Sequence, residues 1–116
     1  MSADERRLTL NVIHLDPALT GDCLRVCLDE VVLLIVRLDT ANVETVTLSA
    51  TFDVVHLMLI EGRESEEFSL KPHDSVETSW RFRTQATGRC LKGIQVEAVA
   101  EFGLYQAVVI PVEIER

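Results

Sequence analysis

Cysteine, aromatic residues, glycine and proline are all scarce in this chain of 116 residues, and each scarcity removes a class of explanation. The three cysteines, Cys23, Cys27 and Cys90, are an odd number at irregular spacing, unlike the paired frameworks that staple small secreted domains. They are expected to be reduced and buried. Cys23 and Cys27 look like half of a metal clip, yet on one extended strand their Cα atoms would stand about 13 Å apart, at ~3.3 Å per residue. That is beyond the ~7 Å reach of a disulfide and too far for two thiolates to share a zinc at ~2.3 Å each, so only a helix there would make the pair a metal site. The five glycines are scattered singly, with neither G-x-G-x-x-G nor a lysine-bearing phosphate loop. Nothing in the sequence points to a nucleotide or to any other cofactor.

Long apolar runs are missing too. The longest, Val31 to Val36, has the length of a strand and falls far short of the ~20 residues that a membrane helix needs. The opening Met1-Ser2-Ala3-Asp4-Glu5-Arg6-Arg7 has no apolar core of the signal-peptide kind, and the expected location is the cytoplasm. Positive charge is the minority sign, 11 Lys and Arg against 19 Asp and Glu, for a formal net charge of -8. That excess opposes approach to nucleic-acid phosphates and anionic membranes, so neither is expected as a partner.

What the chain does have is enough apolar material for one core, with 47% hydrophobic and 26% charged residues. A single domain is expected over residues 6–116, behind a disordered tail of residues 1–5. The dominant period is two. Thr45 to Phe52 sends Val46, Leu48, Ala50 and Phe52 to one face, and Val76 to Arg83 points Trp80 and Phe82 inward with Arg81 and Arg83 to solvent. The same alternation predicts strands over Leu8 to His14, Cys23 to Leu28, Ile94 to Phe102 and Ala107 to Glu115. Gly103 marks a hairpin between the last two.

Val31 to Leu38 and Val54 to Ile60 are apolar on both faces and read as central strands, since both are short and the first is rich in β-branched residues. Turn-forming residues separate these runs at Asp16-Pro17, Thr20-Gly21-Asp22, Asp39 to Asn42, Glu61-Gly62-Arg63, Lys71 to Ser75 and Thr87-Gly88. Glu61 to Glu67 reads as an acidic loop. The expectation is an all-β, immunoglobulin-like antiparallel β-sandwich of about seven or eight strands.

The stretch Phe68 to Phe82, with its Leu70-Lys71-Pro72 segment leading into the strand that bears Trp80, followed by Thr87-Gly88 and the strand from Ile94, resembles bacterial immunoglobulin-like modules of the CARDB kind. The likeness spans about residues 30–115 and implies a sandwich fold. It also implies a role as an adhesive or spacer unit. The cysteine-tryptophan-cysteine arrangement of antibody domains is missing.

Candidate chemistry is sparse. His73-Asp74-Ser75 sets three catalytic residue types side by side, but neighbouring side chains in a turn diverge, and a turn stabilised by Asp74 or Ser75 is the expected role. Cys90 lies beside Arg89 and Lys92, whose charge would favour a thiolate, so a thiol-dependent enzyme using Cys90 is one alternative. The competing role for Cys90 is a small apolar side chain at a strand start. His14 and His56 are expected to be partly buried and hydrogen-bonded within apolar strands. No catalytic constellation emerges.

Two features concern partners. Thr78 to Val96 has no acidic residue but carries Arg81, Arg83, Arg89 and Lys92, a possible positive patch or an ordinary solvated sheet face. If Val32, Leu34, Val36 and Leu38 face the core, then Val31, Leu33 and Ile35 face outward, and something should cover them. The chain's own first strand, a second copy, or another domain or subunit would serve. These features together suggest a non-catalytic protein-interaction module, an accessory domain or small subunit that binds through a sheet face or edge strand. The alternative of another class is a carrier of a small apolar ligand held between the sheets.

Overall fold

The computed structural model describes residues 5–116, so all of the expected tail except Glu5 lies outside the described residues. Nine strands follow in chain order: β1 (Arg7–Asp16), β2 (Leu24–Cys27), β3 (Val31–Ala41), β4 (Thr45–Phe52), β5 (Leu57–Glu61), β6 (Ser65–Ser69), β7 (His73–Thr84), β8 (Gly88–Ala100) and β9 (Tyr105–Glu115). They form two sheets, one in the order β1-β3-β7-β5 and the other in the order β2-β9-β8-β4-β6. Neighbours are antiparallel except β2 and β9, which run parallel. The fold is an all-β sandwich.

Period two decides what is inside. On β3 the inward row Val32, Leu34, Val36 and Leu38 is fully buried, and its register sets Val32 opposite Phe82 and Leu34 opposite Trp80 on β7. The second sheet answers with Val46 and Leu48 from β4, Ile94, Val96 and Ala98 from β8, and Ile110, Val112 and Ile114 from β9. Phe52 meets Phe82 edge to face at 5.2 Å between ring centres, a favoured aromatic geometry. The Trp80 indole N–H donates to the Arg63 carbonyl at 2.7 Å, which lets that ring be buried without an orphaned donor.

Thr84, also fully buried, is satisfied in the same way. Its hydroxyl donates to the Cys27 carbonyl at 2.8 Å and accepts from the Glu30 N–H at 3.0 Å, tying the β2–β3 turn to the end of β7. β8 and β9 are joined through a single tight turn at Glu101–Gly103, the hairpin expected at Gly103.

Several expectations need correction. The apolar run from Val54 is not a central strand: Val54 and Val55 are exposed in a turn, and only Leu57–Glu61 pairs, as the edge strand β5. The acidic segment Glu61 to Glu67 is loop only in part, because Ser65–Ser69 alternates and pairs with β4. Phe102 is exposed in the β8–β9 turn at φ 62°, with the Arg6 guanidinium 3.8 Å from its ring centre. Cys90 is buried as expected, whereas Cys23 is half-buried, Cys27 is exposed and His14 is exposed.

Because Phe82 sits where the two sheets meet, Phe82→Ala is expected to cost about 3–5 kcal/mol of folding stability. Denaturant unfolding monitored through Trp80 checks this, and a loss under about 1 kcal/mol would show that the ring is not at a packed centre.

Candidate functional site

The outer face of the β1-β3-β7-β5 sheet gathers five of the seven residues singled out above. Val31, Leu33 and Ile35 form a row on β3, half-exposed rather than bare. Register sets Arg83 opposite Val31 and Arg81 opposite Leu33 on β7, with Met58 and Glu61 of β5 beyond them. On the other side, β1 places His14 against Ile35 and Asp16 against Leu33. The Arg81 side chain reaches Glu61 of β5 at 2.9 Å, on the side of β7 away from the apolar row. Reading across the strands, the face runs acid, apolar, base, acid. The first strand does not cover the apolar row, because β1 joins β3 edge to edge within the same sheet.

Arg89 and Lys92 do not join this face. They lie on β8, in the opposite sheet, so the four basic residues do not make one patch. Arg89 there stands opposite Glu113, whose carboxylate also meets Arg25 at 3.6 Å. That carboxylate offsets one of the positive charges on this part of the sheet. The sequence reading missed that the outer face of this sheet has an apolar row of its own, in which Val99 pairs with Tyr105 and Val109 stands beside Gln95, all three apolar groups about half exposed. The signal was present in β9, where Tyr105, Ala107 and Val109 alternate with the inward Val108 and Ile110.

A second cluster forms where β4 crosses to β5. The Asp53 carboxylate accepts from the amides of Val55 at 3.0 Å and His56 at 3.4 Å, closing a tight turn, while the Asp53 amide donates to the Gly93 carbonyl. His56 Nδ1 stands 3.1 Å from Asp53 Oδ1. The contact is close, yet the ring does not aim an N–H along the line to the oxygen, and this buried nitrogen has no hydrogen-bond partner. The pair is an electrostatic contact and not a directed bond. The neighbouring imidazole and then the Val55 amide hold the Asp53 carboxyl below its ordinary 3.8, against an opposing effect of burial.

Cys90 completes this cluster from β8. It points inward, so the adjacent Arg89 points outward, and the anticipated lowering of its pKa is not found. Burial, with the Asp53 charge adding to it, instead pushes the Cys90 thiol up to about 11. At neutral pH it is a thiol, which removes the electrostatic argument for a reactive cysteine. His73-Asp74-Ser75 opens β7 and is strand, not the expected turn, although the local hydrogen bonding expected of Asp74 is present: its carboxylate accepts from the Lys71 and Ser75 amides, at 3.1 and 2.9 Å, which in that order hold it below 3.8. A depression of about 730 Å³ lined by Phe52, Leu57, Met58 and Arg63 opens on the surface and is not enclosed between the sheets, so it lends nothing to the carrier reading.

Alkylation with iodoacetamide near pH 7.5 in buffer containing EDTA is expected to modify the exposed Cys27 first and Cys90 only after unfolding. Peptide mass mapping reads this out, and rapid native labelling of Cys90 would restore the reactive-thiol reading. No protein-family model matches this chain, and no curated protein matches it.

Proposed function

We propose that this chain is a non-catalytic protein-interaction module, working in the cytoplasm as an accessory domain or small subunit, and that it binds through the outer face of the β1-β3-β7-β5 sheet. The observation that carries the reading is the row Val31, Leu33 and Ile35, which lies half-open on the outer side of a central strand with no layer of the described residues over it. A central strand holds its backbone through pairing on both sides, so such a face is a rigid platform whose binding needs little ordering. Arg81 and Arg83 along one flank favour a partner that offers an apolar ridge with carboxylates beside it. A second copy of the chain is one such partner, through Asp16 and Glu61 of the same face.

The strand order supports the immunoglobulin-like part of the reading. With β2 and β6 set aside, the remaining seven strands in chain order follow the A-to-G succession of that topology, four of them as A-B-E-D and three as G-F-C. β2 and β6 then extend the second sheet at its two edges. The topology hosts many tasks, so the argument for binding stays with the face and not with the fold.

Light scattering after size-exclusion chromatography, together with binding of a hydrophobic dye, tests the proposal. The wild-type chain is expected to associate or to bind the dye, and Leu33→Glu with Ile35→Glu is expected to abolish the signal while the far-ultraviolet spectrum stays that of a β protein. A wild-type chain that is strictly monomeric and dye-silent would overturn the proposal.

A further inference from the structure

We infer that Asp53, His56 and Cys90 form a binding site for a divalent cation of the zinc class, placed to clip the β4–β5 crossover onto β8. Among the described residues they are the one group of three or more His, Cys, Asp or Glu side chains whose ligand atoms converge, all lying within 4.8 Å of one another. Sulfur, imidazole nitrogen and carboxylate oxygen together are a donor set that suits zinc and its borderline neighbours. Around a tetrahedral zinc, with bonds of ~2.0–2.3 Å, ligand atoms stand roughly 3.3–3.8 Å apart. The Asp53–His56 contact is already near that spacing, and rotation of the side chains in the turn closes the rest.

One further observation points to a ligand, and another shows that the ring is held where it would bind one. His56 Nδ1 is buried without a hydrogen-bond partner, although a carboxylate oxygen stands 3.1 Å away. A metal cation bound between them would give that nitrogen a partner and would satisfy the carboxylate at the same time. The other observation is Gly88, at φ 150°, which packs against the same ring. A Cβ at position 88 would come within 2.5 Å of His56 Nε2, so only glycine leaves room for the imidazole in this orientation. The ring is held in place by the backbone of β8, the strand that also presents Cys90.

The chain supplies three ligands, and a tetrahedral ion keeps its fourth position for a solvent molecule or a partner's side chain. On binding, the Cys90 S–H bond breaks, an Sγ–metal bond forms, and the proton leaves to the buffer with no change of oxidation state. This inference is independent of the sheet face proposed for partner binding, and either reading can fail without the other.

Cobalt(II), titrated into the full chain after treatment with a chelator, is the probe. The expected result is one equivalent bound, with a near-ultraviolet thiolate-to-cobalt charge-transfer band that zinc displaces. Cys90→Ser is expected to remove the band, and His56→Ala or Asp53→Asn to weaken binding at least about tenfold, Asn being chosen because it keeps an acceptor for the turn amides. The double variant Cys23→Ala with Cys27→Ala is expected to bind as the wild type does. Absence of the band in the folded wild-type chain would overturn the site, as would a band that survives in Cys90→Ser or disappears with Cys23 and Cys27. None of these readouts uses His56→Ala, and the double variant is scored only when its far-ultraviolet spectrum is that of the folded wild type, so misfolding of an alanine variant does not decide the outcome.

Discussion

The contact between the inward row of β3 and the aromatic pair Trp80 and Phe82 on β7 is the interaction on which the rest of the molecule depends. Each strand segment alternates, so once Val32 and Leu34 are set opposite Phe82 and Trp80, every other residue on both strands is committed to solvent. A slip of one residue would put Arg81 and Arg83 into the core and the aromatic rings outside. The cost of burying two unpaired guanidiniums makes that register inaccessible. The same commitment produces the outer row Val31, Leu33 and Ile35 and the arginines beside it. The proposed binding surface is therefore the reverse side of the core's own register.

Much of this architecture was legible from residue order. Val76 to Arg83 displays its two faces in full, with aromatic groups and arginines strictly alternating, and Thr45 to Phe52 does the same with valine, leucine and hydroxyl residues. What period alone cannot rank is competition between elements. Val54 and Val55 are as apolar as the start of any strand, yet the Asp53 carboxylate accepts from the amides of Val55 and His56 and closes a turn there, and that local carboxylate overrides β-propensity. Ser65–Ser69 reads as acidic loop because its inward positions carry Glu66 as well as Phe68. It becomes a strand only because β4 offers a free edge to pair with. Phe102 continues the alternation of β8 on paper, but the chain must reverse at Gly103, and the reversal takes the ring out of the core.

The candidate sites divide along the same line. Arg81, Arg83, Val31, Leu33 and Ile35 could be grouped from sequence once β3 and β7 were read as strands with apolar inner faces. Arg89 and Lys92 were grouped with them by proximity in the chain, and the crossing from one sheet to the other separates them. The meeting of Asp53 and His56 with Cys90 was invisible for a related reason. His56 lies in a segment that reads as strand, with Asp53 just ahead of it, and Cys90 reaches them only through the pairing of β4 with β8, a long-range contact that no local pattern encodes. Cys90 also shows how a strand defeats a neighbour argument, since the residue beside it in sequence points to the other face.

Residue-resolved amide hydrogen exchange on the full chain tests the central claim most directly. If β3 is the doubly paired centre of one sheet, with its inward row at the middle of the core, the amides of Val32 to Leu38 should be among the slowest to exchange, together with those of Trp80 and Phe82, and far slower than those of the edge strands β5 and β6. Exchange in β3 as fast as in β5 or β6 would contradict the account.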